Sequence, residues 1–283
     1  MVSINESINS QKTQRSFYDF VFTDLADKRT NHWFLISDPG PGLAILGLWL
    51  YFVLKIGPKW MENKKPFQLR TVLIVYNIFQ VIINIYLFYE GGRLGWFGKY
   101  NYNCEPVNFS LSQTALDSAS MCHAYFLLKM TELADTVFFV LRKNNRQVTF
   151  LHLYHHTVMP MAAWGATKYF PGGHGTFIGF INAFVHIIMY GYYSLAALGP
   201  GVQKYLWWKK YITTLQMVQF CMVFIHNSQL FWFDCGYPRW TAFLTLPNAI
   251  FFYQLFNQFY KSSYTKPASV NKDAAVIKNG KIK

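Results

Sequence analysis

The chain has 283 residues, of which 52% are hydrophobic, 19% aromatic and only 14% charged. A soluble domain carries about 25% charged residues, so the composition argues against a water-soluble globular protein and for lipid as the solvent. The net charge of +13 is not evidence for nucleic-acid binding until the 26 Lys and Arg are placed along the chain.

A polar arm, residues 1–34, comes first. Seven apolar segments follow near 35–56, 69–90, 115–141, 148–168, 176–198, 211–233 and 240–260. Each is about 20 residues or slightly longer, the length that spans a hydrocarbon core. The first begins after thirty polar residues and does not read as a cleavable signal peptide. Connections are short, so 35–260 reads as one membrane domain, followed by a Lys-rich tail, 261–283, expected to lack packed structure. The predicted fold class is an all-α polytopic membrane protein with seven transmembrane helices.

Charge orients it. The tail holds six basic residues, and the connections 1–2, 3–4 and 5–6 hold five, three and three (Lys55, Lys59, Lys64, Lys65, Arg70; Arg142, Lys143, Arg146; Lys204, Lys209, Lys210). That places 17 on one side against 8 on the other, with Lys129 inside the third segment. The positive-inside rule then sets the C-terminus in the cytosol and the N-terminus in a lumen. The two glycosylation sequons, at Asn5 and Asn108, fall on the lumenal side. So do Cys104 and Cys235, in connections 2–3 and 6–7, where an oxidising compartment preserves disulfides. A Cys104–Cys235 bridge is predicted, with Cys122 and Cys221 as packing residues within helices.

Segment four carries a His-x-x-His-His cluster, His152, His155 and His156, whose spacing puts three imidazoles on one helical face. At 1.5 Å per residue from the cytosolic helix end they lie roughly 6–12 Å deep, and Glu132 and Asp135 of segment three about 9–14 Å deep. Gln216 and Gln219 of segment six, and Asn77 and Gln80 of segment two, fall at similar depth. Segment five adds Asn182 and His186 one turn apart, somewhat deeper, then Tyr190 and Tyr193. Amides alone are read as interhelical hydrogen bonding. Clustered imidazoles beside two carboxylates mark a functional site in a membrane segment. His123 and His226 are read as packing residues, and His32 and His174 as facing solvent or headgroups.

Three chemistries suit such a cluster: a metal site, a proton relay in a transporter or receptor, and acyl transfer by a nucleophilic imidazole. Di-iron desaturases and hydroxylases share the box but draw on several histidine clusters. Only three of this chain's eight histidines are clustered, which leaves a di-iron centre short of ligands. A mononuclear zinc site using the box with His186 or a carboxylate stays open.

Five motifs occur in order: Gly57-Pro58-Lys59 with Glu62-Asn63-Lys64-Lys65-Pro66-Phe67; Lys129-x-x-Glu132-x-x-Asp135-Thr136; His152-x-x-His155-His156; Asn182-x-x-x-His186-x-x-Met189-Tyr190; and Thr213-x-x-Gln216-x-x-Gln219. Together, from about residue 30 to 262, the chain resembles the ELO family of very-long-chain fatty-acid elongases, condensing enzymes of the endoplasmic reticulum. Gln147 before the box resembles the subgroup with Gln rather than Asn there. At the C-terminus only Lys281 sits where a dilysine-type retention signal places a lysine.

The resemblance implies condensation of a long-chain acyl-CoA with malonyl-CoA in a multi-pass protein of the endoplasmic reticulum membrane, with an acyl-chain tunnel and no cofactor or resident metal. It implies partners among the other enzymes of the cycle (ketoacyl-CoA reductase, dehydratase, enoyl-CoA reductase), a homo-oligomer as an option, and no nucleic acid. The mechanism expected is ping-pong, with His155 taking the acyl group as an acyl-imidazole. His152 and His156 orient it, Glu132 or Asp135 fixes the tautomer, and His186 with Asn182 polarises the malonyl thioester. Lys129, Gln216, Gln219, Tyr190 and Tyr193 are expected to contact substrate, with Arg142, Lys143, Lys204 and Lys209 near the CoA phosphates.

Overall fold

A computed structural model describes residues 16–265. Among these the regular structure is helical, without strands. We number the long helices α1 (Pro39–Met61), α2 (Arg70–Trp96), α3 (Gln113–Thr131), α4 (Ala134–Leu141), α5 (Phe150–Tyr169), α6 (Gly173–Ala197), α7 (Lys209–Ser228) and α8 (Thr241–Tyr260). Every expected segment is helical. Of these helices α1, α2 and α6 are long and apolar enough, by length and composition, to cross a membrane.

Local chemistry sets the helix starts. Asp38 accepts a hydrogen bond from the Gly40 amide beside Pro39, Ser112 from Ala115, and Thr149 from His152, which caps α5 one turn ahead of the box. Pro171 and Gly172 (φ +134°) end α5.

Inside-out burial runs along these helices. On α2, Asn77, Gln80 and Asn84 are buried, whereas Val75 is 64% and Ile82 58% exposed. On α7, Thr213 and Gln219 are buried while Val218 and Ile225 face outward. In water this pattern would expose a broad apolar surface; in lipid it is the arrangement that satisfies both solvents.

Packing closes the helices into a ring. Helix α2 lies along α6, α6 along α7, α7 along α8, α8 against α5, α5 along α3, and α3 against α2 again. Helix α1 stays outside it, packing Leu46, Trp49, Val53 and Met61 against Leu133 and Val140. The polar faces therefore converge on the inside of the ring.

The third segment is not one continuous helix. Asp135 N–H bonds to Glu132 O rather than to Thr131 O, so the ladder tightens to three-residue turns at Glu132 and Leu133. No Gly or Pro causes the break. Side chains of other helices meet carbonyls at the break: the Tyr76 hydroxyl donates to the freed Thr131 O at 3.3 Å, and Trp49 Nε1 donates to Leu133 O, at the cap of the following helix, at 2.9 Å. Without water to solvate them, such carbonyls need side-chain donors. Substituting Trp49→Phe should cost about 0.5–1.5 kcal/mol by removing one buried hydrogen bond to Leu133 O, read as a lower melting temperature of the detergent-purified protein.

At one end of the bundle Cys104 and Cys235 form the expected disulfide, with Cα atoms 5.8 Å apart and 131 residues between them. The bridge joins the α2–α3 and α7–α8 connections, and so staples opposite parts of the ring. Cys104→Ser is expected to cost about 2–5 kcal/mol, the range for a long closed loop; equal gel mobility with and without reductant would show that the bridge does not form in the protein. The arm also docks at this end. Asp27 N–H donates to Lys168 O at 2.8 Å, and buried Lys168 donates to Asn31 Oδ1 (2.6 Å), Ile36 O (3.0 Å) and Ser37 O (2.9 Å). Asn5 lies outside the described residues; Asn108 is exposed, as an acceptor sequon requires.

His174 corrects one expectation. It is fully buried, not solvent-facing, and stacks on His226 with ring centroids 3.9 Å apart. The α5–α6 connection turns inward at Gly173 (φ +61°), where a side chain would meet Pro106 O at 2.6 Å, and carries His174 with it. Cys221 is likewise exposed on the outer face of α7 rather than packed inside.

Candidate active site

The break in the third segment places Glu132 at the centre of a buried cluster. Lys129 Nζ donates to Glu132 Oε1 at 2.6 Å, and His186 Nδ1 lies 3.1 Å from the same oxygen. Lys129 and Glu132 are 1% and 0% exposed. A carboxylate only accepts, so Nδ1 of His186 carries the proton and Nε2 keeps the lone pair. Lys129 Nζ approaches Nδ1 to 3.4 Å and sits 4.8 Å from the Tyr125 ring. Tyr125 in turn donates to Asn182 Oδ1 at 3.0 Å.

Asp135, one turn on, accepts from the Tyr190 hydroxyl at 2.7 Å. Tyr76 packs edge-on against Tyr190 at 6.2 Å. Glu132 and Asp135 thus hold His186 and Tyr190, both from α6. Within the box, Thr136 Oγ1 shares a 2.7 Å hydrogen bond with His152 Nε2. His156 is buried, with its ring 4.2 Å from His152 and 5.1 Å from His155. His155 packs edge-on to Phe252 of α8 at 5.5 Å. It also lies within electrostatic range of Lys129, Glu132 and His186, so box and α6 cluster form one site. Pro160 adds a local feature, because without an N–H it leaves the carbonyl of His156 free of its helical partner.

Other expected contacts separate into two groups. Gln219 is buried with Oε1 unpartnered, and Gln216 Nε2 points at Met189 Sδ (3.4 Å); both amides sit inside the ring. Tyr193 packs on Tyr190 and Tyr192 at the edge of the layer. Arg142, Lys143, Lys204 and Lys209 are exposed at the end opposite the disulfide. Of these Lys143 is anchored, donating to Glu62 O at 2.9 Å from a left-handed backbone (φ +54°). It borders a cavity of about 390 Å3 lined also by Lys59, Glu62 and Asn145.

On the other side of the polar layer an apolar cavity of about 110 Å3 extends toward the disulfide end between α3, α5 and α6. Tyr125 and Met159 mark its inner end, one turn from Lys129 and from the box.

Comparison with known proteins follows this geometry. The profile of the ELO family (GNS1/SUR4 family) matches residues 34–272. The chain is 50% identical over 268 residues to very long chain fatty acid elongase 7 of Drosophila melanogaster, covering 93% of this chain and 81% of that protein. It is 45% identical to very long chain fatty acid elongase 7 of Rattus norvegicus, with 94% of each chain covered. With very long chain fatty acid elongase 4 of Mus musculus it shares 40%, over 94% of this chain and 89% of that one.

The chain belongs to the ELO family. In this ELO-family protein, several residues now at the site carried little sequence signal. Tyr125 is one turn before Lys129 and Thr136 directly follows Asp135, so helical spacing from those two residues is the signal that could have found them. Tyr76 and Trp49 look like ordinary aromatic residues of apolar helices, and only the break at Glu132 gives them polar work. Thr136→Val should lower kcat about tenfold by freeing His152, at the cost of about one hydrogen bond, with KM for acyl-CoA little changed in steady-state assays.

Proposed function

We propose that the chain condenses a long-chain acyl-CoA with malonyl-CoA, giving 3-ketoacyl-CoA, carbon dioxide and CoA. It would work as a seven-span protein of the endoplasmic reticulum membrane with its N-terminus in the lumen and its C-terminus in the cytosol. The observation that carries this reading is a closed helical ring holding four imidazoles on a polar layer, with basic residues at one mouth and an apolar cavity beyond. The relatives' names supply the reaction class.

The chemistry follows from the ring nitrogens. His155 attacks the acyl thioester carbon, a C–N bond forms, and CoA leaves as a thiolate. Acylation releases one proton from His155, and the bare Nε2 of His186 is the acceptor, since Glu132 stabilises the resulting imidazolium. Malonyl-CoA then loses carbon dioxide, and its C–C electron pair becomes a thioester enolate. The Nε2–H of His186 now donates to that enolate oxygen, which reconciles its resting lone pair with the polarising role. The enolate carbon attacks the acyl-imidazole, and His155 leaves and recovers its proton from His186. The CoA thiolate takes one proton from water, which balances the reaction.

Cytosolic basic residues, with Arg142, Lys143, Lys204 and Lys209 among them, would meet the CoA phosphates. A transporter using the same residues has no need of an apolar cavity next to its relay. The deciding test supplies purified protein with a panel of acyl-CoAs and malonyl-CoA labelled at the free carboxyl. Labelled carbon dioxide and a ketoacyl product two carbons longer support the reading; malonyl-CoA left intact with every acyl-CoA overturns it. Activity should persist after exhaustive chelation, and its loss with rescue by zinc would favour a metal site.

A further inference from the structure

The apolar cavity is lined at its disulfide end by a residue of the α7–α8 connection. Beside Tyr125 and Met159 at its inner end, it is lined by Ala166, Phe170 and Tyr237 toward the disulfide end. Tyr237 is 5% exposed, with its ring 6.0 Å from Phe170 and 5.6 Å from His174.

Its position is held by several devices. Cys235, two residues earlier, is tied to Cys104. Gly236 adopts φ +78°, a left-handed conformation that glycine reaches without strain, and its amide donates to Asp234 Oδ1 at 3.2 Å. Gly175 makes room for the phenol, since a Cβ there would stand 2.1 Å from the Tyr237 hydroxyl oxygen. A short turn, a bridge and a glycine slot together aim one rigid ring into the bundle.

The liners differ in how readily they yield. A cavity near 150 Å3 takes a molecule the size of benzene, so one of about 110 Å3 admits a long acyl chain only as its walls move. Met121 and Met159 are unbranched with three rotatable bonds and move easily. Tyr237 has two side-chain torsions and a cross-linked backbone, so it resists. From Met159 to Phe170 the helix advances about 16 Å at 1.5 Å per residue. An extended chain covers about 1.2 Å per bond, taking three backbone bonds per residue, so this depth holds about 13 carbons.

We propose that Tyr237 is the end stop of the acyl cavity and sets the longest chain extended, with the Cys104–Cys235 bridge keeping it in place. This rests on the condensing reading above. The test measures product lengths by mass spectrometry, with labelled malonyl-CoA and acyl-CoAs of increasing length. Tyr237→Ala should extend products by at least one further two-carbon cycle, whereas Tyr237→Phe, which keeps the ring, should retain the wild-type limit. Ala166→Leu, which fills the cavity from α5, should shorten the limit by a cycle or more, and decides the matter if Tyr237→Ala does not fold. Unshifted products in folded Tyr237→Ala, or in Ala166→Leu where that variant decides, overturn the end stop alone. Wild-type protein that consumes no malonyl-CoA overturns the condensing reading itself.

Discussion

His155→Ala is expected to lower kcat by at least about 10³-fold, the scale on which removal of a nucleophile or its base acts, while the protein keeps its fold. The fold should survive because His155 makes ring contacts to His156 and Phe252 rather than bridging helices through a buried ion pair. The discriminating measurement is intact-protein mass spectrometry after incubation with acyl-CoA and no malonyl-CoA. Wild type should gain the mass of one acyl group and the variant none. Retained turnover in His155→Ala would move the nucleophile to another imidazole. The bare Nε2 of His186 makes it the first to examine, with His186→Ala as the matching experiment.

Glu132→Gln should be the most damaging single change to stability. It leaves the Lys129 ammonium at 1% exposure without its carboxylate, and breaking one side of a buried pair costs about 3–5 kcal/mol. Activity should fall too, because the amide of Gln can either accept from or donate to His186 Nδ1, and so no longer fixes its tautomer or balances its positive charge. The two effects separate in the double variant Lys129→Met with Glu132→Gln. Removing both charges together should recover most of the melting temperature, since a buried pair contributes little net stability over an apolar replacement. Condensation should not recover. If the double variant regains both, Glu132 serves folding alone and has no part in positioning His186.

Comparing particular residues shows how far reading along the chain could reach. The box, Glu132, Asp135, Asn182 and His186 were all legible, because each interrupts an apolar helix with a polar group at a depth that charge asymmetry estimates. The disulfide was legible for a similar reason: two cysteines lie in connections on one side and two lie within helices. Partners were harder. Depth alone allowed either carboxylate to serve the box, yet Glu132 reaches across to His186 on α6, Asp135 to Tyr190, and the box receives Thr136. Nothing in the pattern marked the helix break either. Residues 131–134 contain no Gly or Pro, and the turn is sustained by Trp49 and Tyr76 from two other helices. His174 was misplaced because a short polar loop ordinarily faces solvent, and only the inward turn at Gly173 reverses that.

Composition, periodicity and charge asymmetry, all properties of local sequence, were enough to identify a helical membrane protein and to set an expected orientation and an expected depth for its polar layer, while five ordered motifs carried the family resemblance. Which helices are neighbours is not local. It depends on side chains from α2, α3, α5, α6, α7 and α8 packing into one ring while α1 stays outside. That packing alone decides that His186 meets Glu132, and so offers Nε2 rather than Nδ1, and that Tyr237 lines the apolar cavity. Each rests on a contact of a few ångströms between helices far apart in the chain, and such contacts leave no periodic trace in the sequence.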